Sequence, residues 1–308
     1  MRKKCLEMVH ELARKDDRVV FIGSDLGYKT SDDFREELPN QFFMEGINEQ
    51  NVVGMAAGMA LEGRIPYVNT IATFIVRRAL EQVAMDLCLH DLPVRLIGNG
   101  GGLVYAPLGS THLAVEDIAL MRALPNMTIV CPADAEEMER FMAVSVDWPH
   151  PIYIRLAKGY DPIVTNSDIP FEIGKGQIYS EGGDVLLVTT GIGLRVCLEA
   201  AELLQAQGIA STILHLPTVK PLDTETLLGA ISKVQTVVSV EEHTILGGLG
   251  SAVAETMLEA GLHRPFRRVG IPDVFPDHYG TQNLIMERYG IWPGPIANTV
   301  VELLEASK

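Results

Sequence analysis

Short apolar runs alternate with amphipathic segments along almost all of this 308-residue chain. That alternation restricts the folds open to it more than any other feature. VVFIGSD (19–25), IPYVNT (65–70), VRLIGNG (94–100), MTIVCPA (127–133) and PIYIRLA (151–157) have the length and β-branched content of buried strands. Amphipathic stretches lie near 48–61, 77–90, 115–123 and 134–146. Strands separated by helical segments in this way argue for a parallel sheet covered on both faces. The stretch 158–183, rich in Gly, Pro, Asp and Ser, breaks the pattern and predicts a linker with one hairpin. A second series follows, with strands DVLLVTTG (184–191), IASTILHL (209–216), QTVVSVE (235–241) and FRRVGI (266–271) and helices near 193–207, 223–232 and 247–260. The expected class is α/β: two doubly wound, mostly parallel-sheet domains over 1–165 and 184–308, joined by a linker at 166–183.

Charge narrows the function. With 25 basic and 40 acidic residues the formal net charge is −15, which disfavours nucleic acid and anionic membrane surfaces as partners. No segment approaches the run of about 18 apolar residues that marks a membrane span. The N-terminal MRKKCLEMVHELARKDD reads as an amphipathic helix and lacks the apolar core of a signal peptide. Cys5, Cys88, Cys131 and Cys197 are widely spaced and form no C-x-x-C pair, which supports neither a disulfide framework nor a zinc site. The expectation is a reduced, cytoplasmic, soluble protein with no metal site of its own.

Common nucleotide and hydrolase motifs are missing. GIGLRV (191–196) lacks the third glycine of a dinucleotide loop, and GNGGGL (98–103) has no helical pattern behind it. Neither a P-loop nor a G-x-S-x-G elbow occurs. Ligands of open parallel sheets bind at the carboxyl ends of the strands, which draws attention to Ser24–Asp25, Asn69–Thr70, Asn99 to Gly102 and Arg155. In GINEQNVVGMAAGMALEG (46–63), Val52, Val53, Ala56, Ala57 and Ala60 recur at helical spacing, Asn48 is placed to cap, and Glu49 falls in the first turn. Glu49 then either complements the helix dipole or presents a carboxylate to a ligand that small side chains allow close. His112, after a Gly/Pro-rich loop, either caps that loop or donates a proton to a substrate.

NEQNVVGMAAGMA (48–60), GSTH and EDIALMRALPNM within 109–127, CPAD (131–134) and IYIRLAKG (152–159) resemble the pyrimidine-binding domain of transketolases. TVKPLD (218–223) and EEHTILGGLG (241–250) resemble the transketolase C-terminal domain, so the likeness covers nearly the whole chain. The pattern is nearest to the separate C-terminal subunit of a split transketolase. The resemblance implies thiamine diphosphate with Mg²⁺ as cofactors. It implies that Glu49 hydrogen-bonds a ring nitrogen of the aminopyrimidine, favouring the imino tautomer that removes the thiazolium proton. Phe74 matches an aromatic that packs on the pyrimidine, Ile71 stands where a second aromatic is frequent, Asp25 matches an acidic residue near the cofactor, and Arg78 completes the expected cofactor-binding set. His112 matches a histidine that contacts the substrate and the covalent intermediate, and Arg155 an arginine that binds a sugar phosphate. His243 is expected to be structural or at an interface.

The chain also departs from the family. Gly100 replaces a histidine, Leu108 an acidic residue that reads a sugar hydroxyl, and Lys29 a phosphate-binding serine. These departures imply a substrate other than the ordinary pair of sugar phosphates, admitted by a wider glycine loop. No GDG…N motif is present, so metal and diphosphate are expected on a separate diphosphate-binding N-terminal transketolase subunit, with this chain a homodimer inside an α2β2 assembly. The implied activity transfers a two-carbon ketol unit from a ketose-like donor to an aldehyde acceptor. The β chain of a 2-oxoacid dehydrogenase and a non-catalytic regulatory subunit are the alternatives.

Overall fold

The computed structural model describes residues 1–24, 31–157 and 161–306, and these form two sheets flanked by helices. The first half contributes β1 (Val19–Gly23), β2 (Phe42–Met44), β3 (Ile65–Ile71), β4 (Arg95–Asn99), β5 (Thr128–Val130) and β6 (Ile152–Leu156). The second contributes β7 (Gln177–Ser180), β8 (Val185–Thr189), β9 (Ser211–His215), β10 (Thr218–Lys220), β11 (Thr236–Thr244) and β12 (Phe266–Ile271). Strand order is β10-β5-β6-β4-β3-β1-β2 in the seven-stranded sheet and β12-β11-β8-β9-β7 in the five-stranded one. Every pairing is parallel except β10 with β5 and β7 with β9. The α/β, mostly parallel class is thus what the alternating runs predicted. All residues of β1 and β8 are buried, because helices cover both faces of each sheet.

The first-half helices are α1 (Arg2–Lys15), α2 (Asp32–Glu37), α3 (Glu49–Leu61), α4 (Ala72–Arg78), α5 (Leu80–Gln82, running into a π turn over Val83–Cys88), α6 (Asp117–Arg122) and α7 (Ala135–Ser145). The second half adds α8 (Gly193–Gln205), α9 (Thr224–Ser232), α10 (Leu249–Glu259), α11 (Gln282–Arg288) and α12 (Pro293–Glu305). CPADAEE caps the start of α7 with two side chains. Asp134 Oδ1 accepts from the Glu136 and Glu137 N–H groups, and Glu137 reaches back to the Ala133 N–H. No helix among the described residues is long and apolar enough to cross a membrane.

Three features depart from the predicted layout. Strand β10, from TVKPLD, pairs antiparallel with β5, so the second half lends an outer strand to the first sheet. The stretch predicted as a linker is held against the protein. Its Phe171 is buried against Phe141, its Thr165 N–H and hydroxyl donate to Asp134, and β7 forms the edge of the second sheet in place of a hairpin. One hydrophobic cluster also spans both halves, bringing Leu103, Ala106, Leu113, Val115 and Ala133 against Leu187, Leu194, Val240, Ile271 and Ile285. That shared core seats the loop of residues 103–115, which carries Leu108 and His112, on the second half.

Candidate active site

At the carboxyl end of the first sheet, β1 and β3 run parallel with Gly23 beside Asn69. Ser24 and Thr70 therefore meet at the rim, and the Ser24 hydroxyl donates to Thr70 Oγ1 at 2.9 Å. Thr70 Oγ1 in turn donates to Glu49 Oε1 at 3.4 Å. Glu49 opens α3 and is only 4% exposed, although the remainder of the helix is apolar or small on its buried face. Asn48 is the N-cap by position, yet its side chain makes no capping bond. The expected side-chain cap is absent, and the hydrogen bonds of the Glu49 carboxylate go to side chains outside α3. Asn99, at the end of β4, donates to Asn69 Oδ1 and to the Thr70 carbonyl and ties the third strand end to the same rim.

Strand β3 passes into α4 with no loop between them, since Ile71 is both its last residue and the helix N-cap. That places Phe74 in the first turn, facing the rim. The Arg78 guanidinium lies 4.0 Å above the Phe74 ring centroid, and Arg78 Nη1 donates to Glu49 Oε2 at 3.2 Å. The His112 ring meets Phe74 edge-on at 5.3 Å, and its Nδ1 lies 2.9 Å from Thr111 Oγ1. Glu49, Phe74, Arg78 and His112 are thereby brought together, with Ile71 at the helix start beside them. Two buried polar atoms near this cluster, Thr73 Oγ1 and Asn99 Oδ1, have no hydrogen-bond partner in the structure. Asp25 and Lys29 lie outside the described residues.

Arg155 is placed differently from its predicted role. At 7% exposure its Nε donates to Asp117 Oδ2 at 2.8 Å, and its Nη2 donates to the carbonyls of Glu242 at 2.7 Å and Ala114 at 3.3 Å. Burial alone would lower the pKa of this guanidinium, but the Asp117 and Glu242 carboxylates outweigh that and raise it well above the usual arginine value. Asp117 Oδ2 also accepts from Tyr153. Glu242 Oε1 accepts from the Leu103 N–H and the Gln282 amide, both at 2.8 Å. Burial pushes Glu242 up to about 7, although nearby Arg155 pulls it down. Through Nε and Nη2 the guanidinium thus ties β6, α6 and β11 together, a structural role that the sequence pattern did not anticipate beside the expected phosphate contact.

The glycine loop is also not the open space predicted for it. Gly100 has φ +70, and a Cβ there would collide with the Tyr105 ring. At Gly101 and Gly102 a Cβ would meet Arg155 and Glu242. The missing side chains make room for protein, not for a bulkier ligand. Leu108 remains 51% exposed. Buried His243 lies 2.7 Å from the Thr244 carbonyl through Nδ1, and its Nε2 accepts from the Ala119 N–H, which is the structural setting expected for it. The sequence pattern points to Thr70 and the EDI segment but not to their partners. Asp117 and Glu242 fall inside quoted motifs, but nothing local pairs them with Arg155, since each meets it only through tertiary packing.

Among the described residues no group of three or more His, Cys, Asp or Glu side chains is placed to hold a metal ion.

Residues 1–160 match the family described as transketolase, pyrimidine binding domain, and residues 174–293 match transketolase, C-terminal domain. Over 306 residues the chain is 36% identical to one subunit of an apulose-4-phosphate transketolase from Phocaeicola vulgatus, covering 99% of this chain and 97% of that protein. A 6-deoxy-6-sulfo-D-fructose transketolase subunit from a Clostridium species is 34% identical over 306 residues, covering 99% and 94%. Among solved structures, a split-gene transketolase described as an inactive beta4 tetramer superposes with a TM-score of 0.92 at 36% identity, covering 100% of this chain and 99% of that one.

Proposed function

The chain belongs to the transketolase family, and from that premise we propose that it is one subunit of a two-chain, thiamine-diphosphate-dependent transferase. The enzyme moves a two-carbon ketol unit from a ketose-like donor to an aldehyde acceptor. The observation that carries this reading is the convergence of the buried Glu49 carboxylate and the Phe74 face on one planar, hydrogen-bonding group, in this structure the guanidinium of Arg78. A carboxyl and an aromatic face so arranged fit an aminopyrimidine ring. When bound, the cofactor supplies a nucleophilic carbon that takes up the ketol unit.

The positions of this chain's own groups support the following roles. Glu49 would hydrogen-bond the pyrimidine and share a proton with it, steadied by Thr70, which is itself fixed by Ser24. Phe74 supplies the stacking face. His112, against the edge of Phe74 and only partly buried, hydrogen-bonds the substrate's reacting oxygens. We assign metal and diphosphate to a separate N-terminal transketolase subunit, a reading supported by relatives of matching length that are named as transketolase subunits and by the likeness to a split-gene transketolase. Two copies of each chain, an α2β2 assembly, would place that subunit over the rim. Exposed Ile47, Leu61, Met85 and Leu89 around α3 and the π turn support such a covered face.

Leu108 points to a donor outside the ordinary sugar phosphates, because it offers no acceptor to a sugar hydroxyl. Relatives named for apulose 4-phosphate and 6-deoxy-6-sulfo-D-fructose support an unusual ketose. The test is Glu49→Gln in the assembled complex, following exchange of the cofactor's thiazolium proton by NMR. The expected result is intact assembly with exchange and turnover lowered by orders of magnitude. An unchanged exchange rate would remove Glu49 from the chemistry.

A further inference from the structure

Arg78 sits where a simple cofactor-binding role does not account for it. Its guanidinium makes two contacts at once, 4.0 Å over Phe74 and 3.2 Å to Glu49 Oε2. Phe74 and Glu49 are the two groups assigned above to the aminopyrimidine. A guanidinium is planar, delocalised and edged with N–H donors, so it stacks and hydrogen-bonds as a small heteroaromatic ring does. Its side chain is 47% exposed and free of other described partners, whereas Glu49 is buried. The arm that can move is therefore Arg78.

We propose that Arg78 is a stand-in for the aminopyrimidine: in the cofactor-free chain it occupies the seat between Phe74 and Glu49, and cofactor binding displaces it toward solvent. This rests on the assignment of that seat in the proposed function. The physical need is plain. An empty seat would leave an inward-facing carboxylate at a low-dielectric helix start with only the long Thr70 contact. Arg78 supplies the compensating charge until the ring arrives. It also engages Glu49 as an acceptor, so the carboxyl is released for its exchange with the ring nitrogen only once the arm swings out. The cofactor must then compete with an internal ligand, which holds the unassembled subunit in a closed but folded state. Arg77 provides a contrast one residue away, since it pairs with Glu116 and touches neither Phe74 nor Glu49.

The test uses the full chain and a neutral probe, the cofactor's aminopyrimidine fragment carrying a hydroxymethyl group in place of the thiazolium, so that loss of a positive charge does not by itself alter affinity. Binding is followed by ligand-observed NMR at millimolar probe for wild type, Arg78→Ala, Arg77→Ala and Phe74→Ala. The arginine Nε–Hε spectrum is recorded in parallel, with the Arg78 signal identified by its absence from the Arg78 variant. Releasing a stacked, half-exposed ion pair should tighten binding roughly five- to thirtyfold in Arg78→Ala. Arg77→Ala should match wild type, and the Arg78 Nε–Hε signal should shift on probe addition. Unchanged or weaker binding in Arg78→Ala, with wild type still binding in a Phe74-dependent way, leaves the seat in place and overturns the stand-in. Absence of Phe74-dependent binding in every variant overturns the seat and the stand-in together.

Discussion

Glu242→Gln tests the buried charge network that joins the two halves. Glu242 is 3% exposed on β11, and its Oε1 takes both of its hydrogen bonds, from Leu103 and Gln282. Its Oε2 faces Arg155 Nη1 at 3.9 Å, too far for a hydrogen bond. Gln keeps the accepting oxygen and removes the titration. Burial raises the folded pKa to about 7 from 4.5, against the opposing pull of Arg155. Below the lower value both states are protonated and the group contributes no pH dependence. Between the two values the native state holds a proton that the unfolded state has lost, so stability falls as pH rises, by up to about 1.4 kcal/mol per pH unit. Above the folded value both states are ionised and the full cost of burying the charge is present, about 3 kcal/mol for a shift of this size. Urea midpoints of the full chain and of the variant, measured from about pH 4.5 to about pH 8, give the difference directly. Wild type should lose about 3 kcal/mol relative to Glu242→Gln across that range. A flat difference, or one that grows in favour of wild type with pH, would mean that Arg155 keeps the carboxylate ionised and that burial does not dominate.

Three further substitutions probe the site. Arg155→Met leaves Asp117 buried with Tyr153 as its remaining donor, and should cost about 3–5 kcal/mol in urea unfolding, less when combined with Asp117→Asn. Intact stability with a raised substrate KM would restore a substrate role to Arg155. Leu108→Asp, at an exposed position, should leave stability within about 0.5 kcal/mol and raise kcat/KM on ordinary sugar phosphates roughly ten- to a hundredfold in the assembled enzyme. No gain there would detach position 108 from donor recognition. Gly100→Ala should destabilise by about 1–3 kcal/mol, since it meets both a left-handed backbone and the Tyr105 ring; a neutral result by thermal unfolding would show that Tyr105 yields easily.

The sequence by itself determined the two α/β halves. Strands buried on both faces must be apolar throughout, and so VVFIG and VLLVT declare themselves without any knowledge of their neighbours. The Glu49 helix start was legible for the same reason, because its pattern lies within a few residues of chain. Strands β2 and β10, three residues each, were not legible: their pairing comes from a neighbour brought up by the fold, not from their own pattern. The start of α4 was hidden because β3 runs straight into it, with no turn residue to mark the change. Only the tertiary structure decided what Arg155 does. Its partners Asp117 and Glu242 lie 38 and 87 residues away and meet it where the halves close on each other. Gly100 shows the same limit at short range. A glycine in sequence marks a missing side chain, but whether the vacated space admits a ligand or a neighbouring ring depends on packing, and here Tyr105 takes it.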